Sequence, residues 1–285
     1  MVTVHTYKDL QELLAPHYCN GNSIGFVPTM GALHDGHASL IRRSTSENGI
    51  RVVSIFVNPT QFGPNEDLDK YPRTLKADQE ICEAAGATHI YAPAIDDIYP
   101  EGRETFEIQF GLRGMDRILC GAKRPGHFNG VLQVVSKLFN IVRPHKAYFG
   151  LKDFQQLAIL QTLTNELFFP VTIVPCPIIR ETDGLAMSSR NRYLGEEERQ
   201  QSLFLSKTLR MVRDAAQEGV AVSELHQIVA DELPKYSLIE LDYFDVRTTA
   251  GLKPIETIRL ADRPQGFMAA FCGSTRLIDN LSLYS

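Results

Sequence analysis

Two histidines three residues apart, His34 and His37, stand in the string Pro28-Thr29-Met30-Gly31-Ala32-Leu33-His34-Asp35-Gly36-His37. An apolar run, Ile24-Gly25-Phe26-Val27, precedes the string and reads as a short buried strand; a helical pattern carrying Leu40 and Ile41 follows from about Gly36. Imidazoles at a helix start meet unpaired N–H groups and a partial positive charge, a setting that suits a phosphate chain. Their own N–H groups can add hydrogen bonds that strengthen as charge builds on a pentavalent phosphorus. Gly31 and Gly36 would let a ligand approach the backbone closely. An HxxH pair by itself also serves structural roles, or forms half of a metal site. A zinc site would need further ligands, and no cysteine is nearby.

Three further segments carry groups of the same kind. In Phe149-Gly150-Leu151-Lys152-Asp153-Phe154-Gln155-Gln156, at another strand-to-helix turn, Lys152 offers a compact charge for phosphate oxygens. Asp153 could bind Mg²⁺ through water or cap the helix, and Gln156 could bond a polar substrate group. Met187-Ser188-Ser189-Arg190-Asn191-Arg192 sets two hydroxyls beside a guanidinium, a clamp for a triphosphate or an ordinary solvated loop. Asn58 and Gln61, after a second apolar strand, could read the hydroxyl and carboxylate of a small acid or simply form the turn that Asn58-Pro59 favours. Arg124-Pro125-Gly126-His127-Phe128 reads equally as a loop feeding a helix. There is no GxxxxGK[ST] loop, no GxGxxG after a strand and no GxSxG elbow, so ATP, if used, is held by another device.

The elements that must position these groups alternate. Strands are predicted over 24–28, 51–57, 89–91, 147–149 and 171–174, and helices from 36, over 74–85, 131–142 and 154–168. This alternation implies a parallel sheet covered on both faces, with ligands at the carboxyl ends of its strands. Beyond about residue 180 the texture becomes helices (196–218, 223–233) followed by strands (239–246, 257–260, 267–271, 277–283). The expected fold is therefore α/β: a parallel-sheet domain over 1–180, then a smaller C-terminal α+β domain over 181–285 that could act as a mobile cover.

Composition narrows the class. Across 285 residues, 29 basic against 34 acidic side chains give a formal charge of -5, no general reason to bind nucleic acid or an anionic membrane. Five widely spaced cysteines without a CxxC pair fit a reducing compartment. With no leader pattern and no apolar run of membrane-spanning length, a soluble cytoplasmic protein is expected.

Taken together, Pro28 to His37, Asn58-Pro59 with Gln61-Phe62, Tyr71-Pro72-Arg73-Thr74, Arg124 to Phe128, Gly150 with Lys152-Asp153, Gln155-Gln156, Gly184 to Tyr193 and Thr275 to Asn280 resemble the pantothenate synthetase family, in order from about residue 24 to 281. The resemblance implies a Rossmann-like nucleotidyltransferase domain in which His34-Asp35-Gly36-His37 corresponds to the HxGH signature and Met187 to Arg190 to a KMSKS-like loop. It implies that Met30, Gly31, Ala32, Leu33, His34, Asp35, Gly36, His37, Gly150, Leu151, Lys152, Asp153, Ile179, Met187, Ser188, Ser189 and Arg190 surround ATP. Gln61 and Gln156 match pantoate contacts, Gln61 bordering β-alanine as well, and His37 matches a residue described as a proton donor. Mg²⁺ and a homodimer are implied too. Leu151 departs from the pattern, standing where the family commonly has glutamate.

The implied reaction joins pantoate to β-alanine through a pantoyl-adenylate, with His34, His37, Lys152, Ser188, Ser189 and Arg190 acting on the phosphates. Hydrogen bonding to developing charge accounts for His37 as well as proton donation does. Two rivals use the same device. A plain nucleotidyltransferase would stop at a diphosphate bond, which the neutral amides of Gln61 and Gln156 disfavour. A regulatory protein that binds nucleotide without turnover would have no need of intact His34, His37, Lys152 and Arg190.

Overall fold

A computed structural model describes residues 1–64, 66, 68–102 and 108–284. The chain forms two compact units. Met1–Arg117, Gly121–Leu151 and Ile159–Pro177 make the first; Ile118–Cys120, Lys152–Ala158 and Ile178–Ser285 make the second.

In chain order the elements begin β1 (Val2–Val4), α1 (Tyr7–Cys19), β2 (Ile24–Thr29), α2 (Asp35–Glu47) and β3 (Ile50–Ile55). There follow α3 (Leu75–Ala85), β4 (His89–Tyr91), α4 (Ile95–Ile98), α5 (Leu119–Lys123) and α6 (His127–Val142). Then come β5 (Lys146–Gly150), α7 (Phe154–Glu166) and β6 (Thr172–Cys176).

The six strands of the first unit form one sheet in the order β1-β4-β3-β2-β5-β6, every pair parallel. Its central strands are apolar on both faces, with Ile24, Phe26, Val27, Val52 and Val53 at 0 or 1% exposure, as a sheet covered by helices on both sides requires. Val27, Ile41, Val53, Cys82, Ile90 and Tyr148 share one core, and the Phe139 ring of α6 meets Phe26 edge-on. Strand order reverses at β2, where the chain has built outward to β3 on one side and later adds β5 on the other. The carboxyl ends of β2 and β5 thus flank the crevice where such sheets bind ligands. The α/β reading holds. The sequence pattern gives no sign of β1 and α1: β1 is only 3 residues long, and α1 carries Pro16 inside its helix.

The second unit packs α8 (Glu196–Ser202), α9 (Phe204–Ala215) and α10 (Val222–Glu232) against an antiparallel sheet, β7 (Ile239–Thr248), β8 (Pro264–Cys272) and β9 (Thr275–Ser282), ordered β7-β8-β9. Phe204, Leu209, Val212, Leu225, Val229, Val246, Met268 and Ala270 are its core. Two local expectations need correction. The single helix expected over 196–218 breaks at Leu203, where Ser202 Oγ turns back to the Glu198 carbonyl at 2.8 Å, a bond that bends helices. The strand expected over 257–260 is an isolated bridge between Thr257 and Ala221, because Ile258 exchanges hydrogen bonds with the loop before α10 rather than with the sheet.

Candidate active site

The turn after β2 is built to hold its own backbone open. Gly31 and Ala32 both adopt left-handed backbone, at φ 82 and 50. Gly31 N–H donates to Thr29 Oγ1 at 3.2 Å, and the next two amides of the turn need an acceptor of their own. Asp78, in the first turn of α3 and 1% exposed, supplies it. Its carboxylate accepts from Ala32 N at 3.1 Å, Leu33 N at 2.8 Å and Thr74 Oγ1 at 3.2 Å. Gly31 is required twice over, since a Cβ there would also lie 3.0 Å from Asp78 Oδ2.

His34 is the N-cap of α2, with extended backbone at φ -146 and ψ 178. Its Nδ1 accepts from Gly36 N at 3.1 Å, and its own backbone N–H donates to His37 Nδ1 at 3.3 Å. This is a reciprocal capping box with imidazoles in place of the usual hydroxyl and carboxylate. The chemical consequence is a tautomer. Each Nδ1 accepts a hydrogen bond from a backbone amide and so carries no proton, which places the proton of the neutral ring on Nε2. The rings lie 4.1 Å apart between centroids, tilted by 43°, and both residues are half-buried. Two N–H donors on neutral rings therefore stand at the positive N-terminal end of a 13-residue helix.

Beyond β3, Asn58 and Gln61 sit in a buried polar cluster. Asn58 Oδ1 accepts from Tyr99 OH at 2.8 Å and Thr60 Oγ1 at 3.1 Å, while its Nδ2 donates to Gly130 O at 3.2 Å and to Gln61 Oε1 at 3.3 Å. Both ends of the Asn58 amide are thus engaged by protein groups, which orient Gln61. Gln61 Nε2 points at Met30 Sδ, 2.7 Å away, a weak acceptor that a better one would displace. Below it, Arg124 grips Glu66 with two bonds, Nε at 2.7 Å and a terminal nitrogen at 2.5 Å. His127 Nδ1 donates to the Gln61 carbonyl at 2.8 Å, and its Nε2 takes a bond from Arg124 at 2.9 Å. Burial pushes the Glu66 carboxyl up, but the bonds and charge of Arg124 outweigh it and hold the group below the usual carboxylate value. Close approach is essential here: a Cβ on Gly130 would lie 2.1 Å from the Thr60 carbonyl.

The remaining candidates belong to the second unit, apart from Gly150 and Leu151, which end β5 and its turn in the first. Lys152 lies in the 3₁₀ turn Leu151–Asp153 that enters α7, its Nζ 3.7 Å from Asp153 Oδ1. Of the two glutamines that follow, Gln155 is structural, holding Cys120 N and Ile118 O at 3.0 and 2.8 Å. Gln156 is the half-buried one. Residues 179–187 fold back on themselves, Met187 N bonding Ile179 O at 2.9 Å and Arg180 bridging Ala186. The outgoing arm delivers Met187, Ser188, Ser189 and Arg190, all half-buried. Ser188 Oγ caps the short helix Ser189–Tyr193 by accepting from Arg190 N at 3.2 Å, leaving its hydroxyl proton to donate. Asn191 braces the loop through Glu181 at 2.7 Å and Ala186 O at 3.0 Å, and Arg199 ties Glu181 to Asp183.

Asp78, Glu66 and Tyr99 escape sequence reading because none belongs to a motif. The one available signal was Thr74 four residues before Asp78 at a helix start. Among the described residues no group of three or more His, Cys, Asp or Glu side chains could hold a metal ion, so the half-site reading of the HxxH pair finds no further ligand.

A parallel sheet whose strand order reverses at β2, with paired imidazole donors on the helix that follows, defines an α/β enzyme of the nucleotide-handling kind. The chain belongs to the pantoate-beta-alanine ligase family, whose model matches residues 2–282. It is 48% identical to a pantothenate synthetase from Bacteroides fragilis over 281 residues, covering 99% of this chain and 98% of that one. Among solved structures it resembles pantothenate synthetase from Thermus thermophilus, with a TM-score of 0.92, 40% identity and all of both chains covered. It is also similar to a pantoate-beta-alanine ligase from Francisella tularensis, described as complexed with beta-gamma ATP and beta-alanine. There the TM-score is 0.80 and the identity 34%, over 99% of this chain and 98% of the other.

Proposed function

We propose that this chain condenses pantoate with β-alanine at the expense of ATP, forming pantothenate, AMP and pyrophosphate. The pantoate carboxylate attacks the α-phosphorus, and the bond to the bridging oxygen breaks, pyrophosphate leaving with its electron pair. The neutral amine of β-alanine then attacks the acyl carbon of the pantoyl-adenylate; the bond to the AMP oxygen breaks and the amine sheds a proton. Adenylation is needed because a bare carboxylate could expel only oxide.

The observation that carries this reading, in a chain of this family, is the reciprocal cap of His34 and His37. It supports two neutral Nε2–H donors toward phosphate oxygens whose charge grows in the transition state, and it favours hydrogen bonding over proton donation by His37. Met30 to His37, Gly150 to Asp153, Ile179 and Met187 to Arg190 are assigned to ATP. Lys152 neutralises charge at the α-phosphate, and Ser188, Ser189 and Arg190 hold the departing pyrophosphate. Gln61 and Gln156 read pantoate, with Asn58 holding Gln61 in register.

Mg²⁺ fits as a companion of the nucleotide, since a half-exposed carboxylate such as Asp153 suits an ion that keeps its waters and rides on phosphates. When bound it would neutralise phosphate charge. Residues 1–180 would bind ATP and pantoate, and residues 181–285 would exclude water from the fragile adenylate. The enzyme would act as a homodimer in the cytoplasm; no helix among the described residues is long and apolar enough to cross a membrane. Product analysis tests the assignment. With ATP, pantoate and β-alanine, pantothenate and AMP should appear in equal amounts; ADP with phosphate, or product without β-alanine, would overturn it.

A further inference from the structure

Strand β9 breaks the usual alternation of a half-buried strand at two consecutive polar residues, Asp279 and Asn280, exposed by 4 and 2%. Neighbouring strand residues face opposite sides, so each needs its own partners on its own side. Asp279 takes the Arg180 guanidinium with two bonds, at 2.6 and 3.0 Å, and Arg180 also donates to the Gly184 carbonyl at 3.1 Å. Arg180 begins the fold-back whose outgoing arm carries Met187 to Arg190.

Asn280 reaches the other phosphate-directed segment. Its Nδ2 donates to the backbone carbonyl of Lys152 at 2.9 Å, while its Oδ1 accepts from Gln265 Nε2 at 2.7 Å. The orientation of the amide is fixed by these partners, because a carbonyl can only accept and an NH₂ can only donate. Gln265, on the adjacent strand β8, is itself 6% exposed. The carbonyl that Asn280 holds lies in a single 3₁₀ turn, so its direction sets the direction in which the Lys152 side chain leaves the backbone.

We propose that Asn280 is a positioning residue for Lys152: its buried amide fixes the turn from which Lys152 extends, and it affects turnover only through that lysine. The proposal rests on the reading that Lys152 acts on ATP. Asparagine to aspartate is the sharpest perturbation, since it keeps the shape and sets an oxygen against the Lys152 carbonyl.

The test is a double-mutant cycle of Asn280→Asp and Lys152→Ala, read as kcat and KM together with thermal unfolding. Displacing a catalytic group by about 1 Å can cost about 10²-fold, so Asn280→Asp should lower kcat by about 10–100-fold while the KM for pantoate moves by less than about 2-fold. In the Lys152→Ala background the same change should cost less than about 2-fold more, because its target is gone. Multiplying losses, or a folded Asn280→Asp enzyme with parental kcat, would overturn the proposal alone. Parental activity in Lys152→Ala would instead remove the role of the lysine, and the proposal with it. Should Asn280→Asp fail to fold, Asn280→Ser enters the same cycle, since its hydroxyl is too short to span to Lys152 and the same two outcomes decide.

Discussion

Replacing Asp78 with asparagine keeps the shape of the side chain and spoils what it does. The carboxylate accepts from Ala32 N, Leu33 N and Thr74 Oγ1 at 3.1, 2.8 and 3.2 Å. An amide turned to satisfy Leu33 and Thr74 must direct its NH₂ at the Ala32 N–H, donor against donor. A hydrogen bond to a charged group contributes about 1.5–3 kcal/mol, and a buried donor left without a partner costs about 1–3 kcal/mol. Ala32 holds left-handed backbone at φ 50, and with its anchor gone that strain relaxes by moving the turn. A loss of about 2–4 kcal/mol is therefore expected. For a domain of about 150–250 residues, at about 2–4 °C per kcal/mol, it corresponds to a Tm lower by about 4–16 °C. The turn leads directly to the His34 cap, so kcat should also fall by about 10-fold or more. Differential scanning calorimetry and steady-state kinetics on the same preparation read both effects. Parental Tm and parental kcat in Asp78→Asn would refute the role given to this carboxylate.

The two histidines can be separated by the reach of their replacements. His37→Asn keeps an oxygen near the Nδ1 position to accept from His34 N but loses the outer donor, whereas His37→Gln can extend an N–H toward the Nε2 position; glutamine should retain more turnover, with asparagine down by about 10²–10³-fold. Gly130→Ala would drive a methyl to 2.1 Å from the Thr60 carbonyl, at a cost of about 1–3 kcal/mol, and should raise the KM for pantoate more than that for ATP by shifting Gln61. The depressed pKa of Glu66 means that its pairing with Arg124 stabilises the fold above the ordinary value of 4.5 and is lost as pH falls through the lower folded value. The gap in Tm between the parent and Glu66→Gln, present near neutral pH, should accordingly close below pH 4.5; a gap that persists unchanged into that range would contradict the pairing.

Much of the framework was legible because central parallel strands read as near-continuous apolar runs. Ile24 to Val27 and Val52-Val53 are such runs, and Gly49 and Gly86 mark the helix ends before β3 and β4. The histidine string was legible for a different reason: its chemistry is local, with both caps closed within three residues. What escaped reading is non-local. Asp78 serves backbone amides 45 and 46 positions away, and no periodicity reports an acceptor for a distant turn. Asn280 stands within a family-like string, yet its partner Lys152 lies 128 positions earlier in the chain. The helix break at Leu203 hid because Ser202 is an ordinary helix residue until its hydroxyl turns back to Glu198.

The central claim is that the enzyme makes an acyl-adenylate before the amine arrives. Incubating the protein with ATP, labelled pyrophosphate and pantoate, without β-alanine, tests it directly. Label should enter ATP only when pantoate is present, and addition of β-alanine should then convert the pool to pantothenate and AMP. Pantothenate formation by a protein that shows no pantoate-dependent exchange, with pyrophosphate free to leave and return, would contradict the account.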